Sequence, residues 1–256
     1  MKKTITWLAA LYCIVALTGC SKSVDDQFID DVKKTLEEKS EWKHNMENSQ
    51  KQTDLTMESF YKKEASFEPS LYMYFNQDFE DVKLKELANE YLEGVKEKES
   101  AVQNYESDHD FAENDDFIIE RFEGERRRIK ALKQIIQGKY GLKSDAYDVK
   151  YAELENSIDE IVNNLNEKKQ SGSTYSINLK NTTKKNWENF WINLDLVDSN
   201  GEKVESLEPI NESLKAKETL TLTFESQNIE SISVKCSSYS VLIDDGEESY
   251  FIANKF

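Results

Sequence analysis

Apolar residues recur at helical spacing through the first two thirds of the chain. The first segment has apolar residues at steps of four, and the second, from about Phe79 to Tyr105, carries a single apolar stripe. The first set is Val24, Phe28, Val32 and Leu36, continued by Trp42 and Met46, and the second is Leu84, Leu87, Ala88, Tyr91, Leu92, Val95 and Val102. One stripe per segment predicts amphipathic helices that bury one face.

Two further segments share one pattern of steps, four, three, four, three and four. These positions are Ile118, Phe122, Glu125, Ile129, Leu132 and Ile136, and then Tyr147, Tyr151, Leu154, Ile158, Ile161 and Leu165. Such a narrow seam favours packing at small crossing angles. Gly141 suits a helix C-terminus and Ser144 an N-cap, so the short connection predicts two antiparallel neighbours.

The period changes from helical to alternating near Ser171, Gly172 and Ser173. Apolar residues then alternate with Ser, Thr and Asn, which predicts about seven short antiparallel strands. We therefore predict an α+β chain with an antiparallel helical bundle over 24–170, a linker at 171–173 and a small β-sandwich over 174–256.

The formal net charge of −17 limits the possible partners. Nucleic acids are polyanions, and a body this acidic repels them, so we expect no nucleic-acid function. The basic run Arg126, Arg127 and Arg128 has glutamates within one or two helical turns, which predicts a solvated helix face. Glu125, in an otherwise apolar seam, is interpreted as a solvated ion-pair partner at the edge rather than a catalytic carboxylate.

The amino-terminal segment has the plan of an export signal. Lys2 and Lys3 precede an uncharged apolar run of about 13 residues, shorter than the roughly 20 that a membrane-spanning helix needs. The run ends in Leu17-Thr18-Gly19-Cys20, which resembles the bacterial lipobox. The resemblance implies a signal peptide over 1–19, cleavage between Gly19 and Cys20, and diacylglycerol on the Cys20 thiol. It also implies a tether over 20–23 and a lipid anchor on the extracytoplasmic face of the cell membrane.

Two more stretches resemble surface lipoproteins of low-GC Gram-positive bacteria. Leu194 to Asp198, followed by a turn at Gly201, is similar to the FxLYD module, with Leu196 and Asp198 at matching positions and Asn181 in a similar upstream turn. The module is an immunoglobulin-like sandwich, and the resemblance implies that fold for the C-terminal region. In the helical region, Lys85-Glu86-Leu87-Ala88 and Gln103-Asn104-Tyr105 are similar to such lipoproteins without implying any functional residue.

Few residues suggest chemistry. His109 stands among acidic residues, so a weak divalent-ion site competes there with a solvated turn between helices. Asp198, Asn200 and Gly201 match only the middle of an EF-hand loop, which favours a hairpin turn. Cys236 shares a strand face with apolar residues and is expected to be a buried, inert thiol. We expect no catalytic residues, metal or cofactor, since no known constellation for them occurs.

One aromatic cluster lies outside the helical periods, between Phe67 and Phe79. Its members Tyr72, Tyr74 and Phe75 are candidate contacts for a partner, since Tyr and Phe often anchor interfaces. The alternative is that these rings fold onto the core of the bundle.

These observations favour a non-catalytic binding or scaffold module at the cell envelope, held by membrane lipid through Cys20. An envelope protein or a polysaccharide is the expected kind of partner. A solute-binding lipoprotein and an envelope enzyme remain as alternatives. The first would show a cleft between two lobes, and the second would show convergent polar side chains with perturbed pKa values.

Overall fold

A computed structural model describes residues 22–47, 56–104, 115–171, 174–207, 210–225, 233–244 and 249–255. In these residues, five α-helices precede eight β-strands, which confirms the predicted α+β order of a helical bundle followed by a β-rich region. The helices are α1 (Val24–Glu47), α2 (Met57–Ala65), α3 (Val82–Asn104), α4 (Asp115–Gln137) and α5 (Tyr147–Asn163). A 3₁₀ helix, Pro69–Tyr74, lies between α2 and α3.

Side-chain caps fix where the first three helices begin. Ser23 Oγ accepts from the backbone N–H of Asp26 at 3.1 Å, and Thr56 Oγ1 accepts from that of Ser59 at 3.2 Å. Asp81 Oδ1 accepts from the backbone N–H of Lys83 at 2.8 Å. Each cap satisfies a backbone donor that the first turn of a helix leaves without a partner.

Helices α3 and α4 pack directly against each other through two glycines. A Cβ atom on Gly94 would lie 2.6 Å from the backbone nitrogen of Arg128 and 2.7 Å from the carbonyl oxygen of Gly124. A Cβ on Gly124 would lie 2.7 Å from the backbone nitrogen of Lys98. The backbones of α3 and α4 are therefore in contact at two positions where the residue has no side chain.

The stripe predicted for α3 is buried, and the predicted seam of α4 is buried in part. Ile129 and Leu132 are buried as expected, whereas Phe122 is 59% exposed. The buried face of α4 also includes Phe117, Arg128 and Ile135.

On α5, the seam position Ile158 is buried, together with Asp148, Val149, Ala152 and Val162. The main helical partner of α4 is α3, so the expectation that α4 and α5 are paired neighbours is corrected.

Within the described part of the C-terminal region, eight strands form two antiparallel sheets. The strands are β1 (Asn166–Ser171), β2 (Thr174–Lys180), β3 (Trp187–Val197), β4 (Lys203–Ser206), β5 (Ile210–Leu214), β6 (Thr219–Glu225), β7 (Ser233–Asp244) and β8 (Ser249–Lys255). One sheet has the order β1-β2-β6, and the other has the order β4-β3-β7-β8 with β5 also paired to β3. Alternate residues of β3, among them Phe190, Ile192 and Leu194, are fully buried, as period-two alternation predicts.

The chain divides into two compact units, and the boundary falls between Val149 and Lys150, within α5. The change of period predicted a linker at 171–173, and Gly172 and Ser173 lie outside the described residues. Ser171, however, ends β1 and pairs with Thr174 of β2. The β-rich unit therefore contains a strand before the expected linker. The sequence did not predict this strand, because β1 is too polar to show an alternating pattern of apolar residues.

Within the β-rich unit, the C-terminal half of α5 contacts the five-stranded sheet. Tyr239 on β7 donates from its hydroxyl to Asp159 Oδ1 at 2.7 Å, and Asn254 on β8 donates to the same oxygen at 3.2 Å. Among the described helices, none has the length and apolar character required to cross a membrane.

Candidate functional site

The residues predicted for lipidation lie outside the described part of the chain. Gly19 and Cys20 belong to the undescribed residues 1–21, and so does the signal peptide. His109 and the acidic residues around it also lie outside the described ranges. The predictions made for these residues stay predictions.

The aromatic residues expected to contact a partner lie on the 3₁₀ helix of the bundle and just after it. Tyr74 is only 3% exposed, packs edge to face on Phe28 at 5.2 Å, and donates to Asp31 Oδ2 at 2.6 Å. Tyr72 is half-buried and donates to Glu99 Oε2 at 2.7 Å, while half-buried Phe75 lies 5.8 Å from its ring. For Tyr74 the geometry agrees with the core alternative, whereas Tyr72 and Phe75 keep part of their surface exposed, so their role as partner contacts stays a prediction.

A network of charged side chains lies inside the helical bundle, centred on Arg128. This guanidinium is 0% exposed and contacts three carboxylates. It donates to both carboxylate oxygens of Glu125 at 3.0 and 2.6 Å, to Glu68 at 3.0 Å, and to Asp148 at 2.9 Å. The interpretation of the arginine run as a solvated face is therefore wrong for Arg128, and Glu125 is a member of this network.

Two buried lysines complete the centre of the network. Lys39 on α1 donates to Asp148 Oδ2 at 2.9 Å and to Glu68 Oε2 at 3.3 Å. Lys98 on α3 donates to Glu125 Oε2 at 3.2 Å and is 3.8 Å from Glu68. At the periphery, Glu64 accepts from Arg121 at 2.6 Å and lies 2.7 Å from Lys43 Nζ.

Mutual attraction keeps the carboxylates of the network ionised. Burial acts to raise the pKa of Glu68, but Arg128, Lys39 and Lys98 outweigh it and hold that pKa below its usual range. The pKa values of Glu125 and Asp148 are lowered in the same way, against burial, chiefly by Arg128. Burial lowers the pKa of Lys98 more than its carboxylate partners raise it.

The network is a structural element by its geometry, because its charges face each other. It joins α1, α3, α4, the first turn of α5 and the segment around Glu68, and Tyr91 donates to Glu68 Oε1 at 2.5 Å. A buried cation that contacts several carboxylates at once has its charge balanced within the protein. The sequence signal of the network was weak, since its members Lys39, Glu68, Lys98, Arg128 and Asp148 come from segments far apart in the chain.

A groove of about 460 Å³ runs along the surface between α3 and α4. Its cations are Lys83, Arg127 and Lys130, and its carboxylates are Glu86 and Glu90. Arg127 already donates to Glu90 at 2.8 Å. Because charges of both signs line it and neutralise each other, the groove does not select a ligand of either charge.

Two turns of the β-rich unit behave as the sequence predicts. Asp198 Oδ1 accepts from the backbone N–H groups of Asn200 at 2.8 Å and Glu202 at 2.9 Å, which confirms a hairpin turn between β3 and β4. The Asn181 side chain is completely buried, and its Nδ2 donates to the carbonyl oxygens of Lys185 at 2.9 Å and Leu214 at 3.1 Å. Asn181 thus fastens the β2–β3 connection.

The outward side of the five-stranded sheet is the best candidate for a binding surface. We call it the outer face and define it by nine residues on β3, β5, β7 and β8. They are Asn189, Trp191, Asn193, Asn211, Ser238, Ser240, Leu242, Phe251 and Ala253. Strand pairing places Asn189, Leu242 and Phe251 in one row, and Asn211, Trp191, Ser240 and Ala253 in the next.

Large apolar side chains are exposed on this outer face. Phe251 is 63% exposed and Trp191 is 48% exposed, and Leu242 lies directly opposite Phe251 on the neighbouring strand. The indole N–H of Trp191 donates to Asn193 Oδ1 at 3.4 Å, and Asn193 Nδ2 donates to Ser238 Oγ at 2.8 Å. These bonds restrain the Trp191 ring in its exposed position.

Cys236 faces the other way, into the β-rich unit. It is buried, and burial raises the pKa of its thiol to about 12. A thiol with so high a pKa holds almost no thiolate at neutral pH. This agrees with the expectation of an inert thiol.

Comparisons with known proteins add little to this geometry. No family model and no curated protein matches the chain. One solved structure, a β-glucuronidase from glycoside hydrolase family 2, is 14% identical with a TM-score of 0.16, covers 37% of this chain, and is matched over 11% of its own length. Another, the Pseudomonas fluorescens alkylpurine DNA glycosylase AlkC bound to DNA with an abasic site analog, is 9% identical with a TM-score of 0.19, with 78% of this chain and 70% of that chain covered. Likenesses this weak carry no argument about fold or activity.

Proposed function

We propose that this chain is a lipid-anchored lipoprotein of the extracytoplasmic face of the cell membrane and that its β-rich unit is a non-catalytic binding module. The observation that carries the binding role is the outer face, where Trp191 and Phe251 are exposed together on a rigid sheet. Exposed aromatic side chains that are held in place are the residues from which interfaces are commonly built. The lipobox at Leu17 to Cys20 supports the location.

The buried network supports a non-catalytic role for the helical bundle. Its carboxylates are saturated by Arg128, Lys39 and Lys98, so its ionisable groups act on each other. Catalytic acids and bases instead need at least one contact with a substrate. We therefore assign the bundle to holding the chain in shape and the outer face to binding.

The location is tested by metabolic labelling with a fatty acid. The parent chain should incorporate the label, and Cys20→Ala should remain unlabelled and collect as uncleaved precursor. Label that persists in Cys20→Ala would refute the lipoprotein proposal.

The binding role is tested in detergent with cell envelopes from which the lipids have been extracted, because an intact membrane would retain every variant through the lipid anchor. The Trp191→Ala/Phe251→Ala chain should lose most envelope binding, while Phe122→Ala should bind like the parent. Phe122 is a matched control because it is 59% exposed but lies on α4. Equal binding by all three chains would contradict a role for the outer face.

A further inference from the structure

We infer that the outer face binds an uncharged polysaccharide strand, laid across β3, β7 and β8 and stacked on Trp191 and Phe251. This inference rests on the proposed binding role of the same face and names the chemical class of its ligand.

The first argument is charge. Of the 256 residues, 83 are Asp, Glu, Lys or Arg, yet none of the nine residues of the outer face is charged. Charge appears only at the margins of the face: Lys255 is paired with Ser238 in the row of Asn193, Asp244 follows Leu242 by two residues, and Asp195 follows Asn193 by two residues. A surface whose centre around Trp191 and Phe251 has no charged residue, in a chain with a net charge of −17, suits a ligand without charge.

The second argument is the pairing of ring faces with neutral hydrogen-bonding groups. A pyranose ring has faces of C–H groups, whose hydrogens are attracted to the negative face of an aromatic ring. Its hydroxyl groups point outward from the ring edge and both donate and accept hydrogen bonds. Asn189, Asn193 and Asn211 provide amides of the same dual character, and Ser238 and Ser240 provide hydroxyls.

The third argument is spacing. Two strand intervals and two residue steps separate Trp191 from Phe251, so their Cα atoms are about 12 Å apart along a diagonal of the sheet. One sugar ring cannot cover both side chains, whereas a strand of linked sugars can place a different ring on each. Phe251 and Trp191 are exposed side chains on the surface of a sheet, which suits the middle of a polymer better than its end.

Preorganisation strengthens this arrangement. The hydrogen bonds from Trp191 to Asn193 and from Asn193 to Ser238 restrain the indole before a ligand arrives. A ring that is already oriented loses less conformational entropy on binding. Asn193 is therefore a positioning residue for Trp191 as well as a hydrogen-bonding group of the face.

Affinity electrophoresis of the full chain in detergent tests the inference directly. The gels contain one of three neutral polymers, hydroxyethylcellulose, galactomannan or dextran, and a further gel contains anionic polygalacturonate. We expect at least one neutral polymer to retard the chain and polygalacturonate to leave its mobility unchanged. Trp191→Ala and Phe251→Ala should each weaken the retardation about tenfold or more, as loss of an aromatic anchor does. Phe122→Ala should be retarded like the parent.

The fluorescence of Trp191 supplies a second readout. Stacking of a sugar ring on the indole should change the tryptophan emission of the parent chain and of Phe122→Ala, and Trp191→Ala should lack that change. Asn193→Ala, which frees the indole, should weaken binding without abolishing the emission change. Circular dichroism checks that each variant keeps its fold.

The outcomes separate this inference from the proposed function. If no neutral polymer retards the chain while envelopes still bind through Trp191 and Phe251, the polysaccharide inference is overturned and the binding module stands. If protease treatment of the envelopes abolishes binding, the partner is a protein, and the polysaccharide inference is likewise overturned. Retention by a neutral polymer together with an unlabelled Cys20 would support the inference and refute the anchor.

Discussion

Replacing Arg128 with Met is the most informative test of the helical bundle. Met keeps most of the aliphatic length but removes the guanidinium, which leaves Glu68 and Asp148 buried with less positive charge around them. Breaking a buried ion pair by removing one partner typically costs about 3 to 5 kcal/mol. Arg128 contacts three carboxylates, of which Glu125 is partly exposed, so we expect the loss to lie within this range.

Urea unfolding followed by circular dichroism at 222 nm measures the effect on the helical signal. With a slope of about 2 kcal/mol/M, the expected loss moves the midpoint down by roughly 1.5 to 2.5 M. The neighbouring Arg127→Met is the matched control, because the Arg127 side chain is 35% exposed and its partners Glu90 and Glu97 lie at the surface. Exposed pairs contribute about 1 kcal/mol or less. Equal midpoints for the two variants would refute the reasoning.

The pH dependence gives the same experiment an independent check. The folded-state pKa values of Glu68, Glu125 and Asp148 are lowered, so their stabilisation is present above the unfolded pKa of about 4 and is lost as pH falls below it. The difference in the free energy of unfolding between the parent and Arg128→Met should therefore become smaller as the pH is lowered from 6 to 3. Adding Asp148→Asn to Arg128→Met should recover part of the lost stability, because one carboxylate is then removed together with one cation and Lys39 keeps Glu68 as its partner.

Three further predictions concern other parts of the chain. Gly94→Ala should lower the urea midpoint by the equivalent of about 1 to 3 kcal/mol despite the better helix propensity of Ala, because its Cβ would overlap the backbone of α4. Gly138→Ala, beyond the end of α4, should change the midpoint little. A Gly94→Ala chain as stable as the parent would contradict the close approach of α3 and α4. Asn181→Ala should cost about 2 to 4 kcal/mol in unfolding of the β-rich unit, since buried carbonyls lose their donor; a loss below 1 kcal/mol would show that the turn holds without it. Cys236, with its pKa raised to about 12, should resist iodoacetamide at pH 8 until the chain is unfolded in urea, and rapid alkylation of the folded chain would refute its burial.

The sequence predicted the helices well because amphipathic periodicity is a local signal. The predicted segment from Phe79 to Tyr105 corresponds to α3, Val82–Asn104, and the stripe through Leu84 and Tyr91 is buried as expected. The buried face of α4 was predicted only in part, because apolar residues alone were used to find it. Ile129 and Leu132 are buried as expected, but Arg128 and Gly124 also lie on the buried face, and neither carries an apolar side chain.

The buried network was missed for a physical reason. Whether Arg128 is solvated or buried depends on carboxylates from distant segments, Glu68 and Asp148, and no local pattern contains that information. The helix crossing did leave a local trace, since glycines at Gly94 and Gly124 interrupt otherwise helical sequences and often mark close approach. On the outer face, Trp191 occupies a polar position of an alternating strand, and an aromatic residue at such a position indicates an exposed ring.

The polar strand β1 has a consequence for molecules that are held close together, as lipid anchoring would hold them. β1, Asn166–Ser171, is an outer strand of the three-stranded sheet and carries the consecutive charged residues Glu167, Lys168 and Lys169. An outer strand offers unpaired backbone groups to any neighbouring strand, and charge, especially lysine, makes that pairing unfavourable. The charges of β1 therefore disfavour pairing of this edge of the three-stranded sheet with a strand of an adjacent molecule, and they keep β2 from becoming an outer strand.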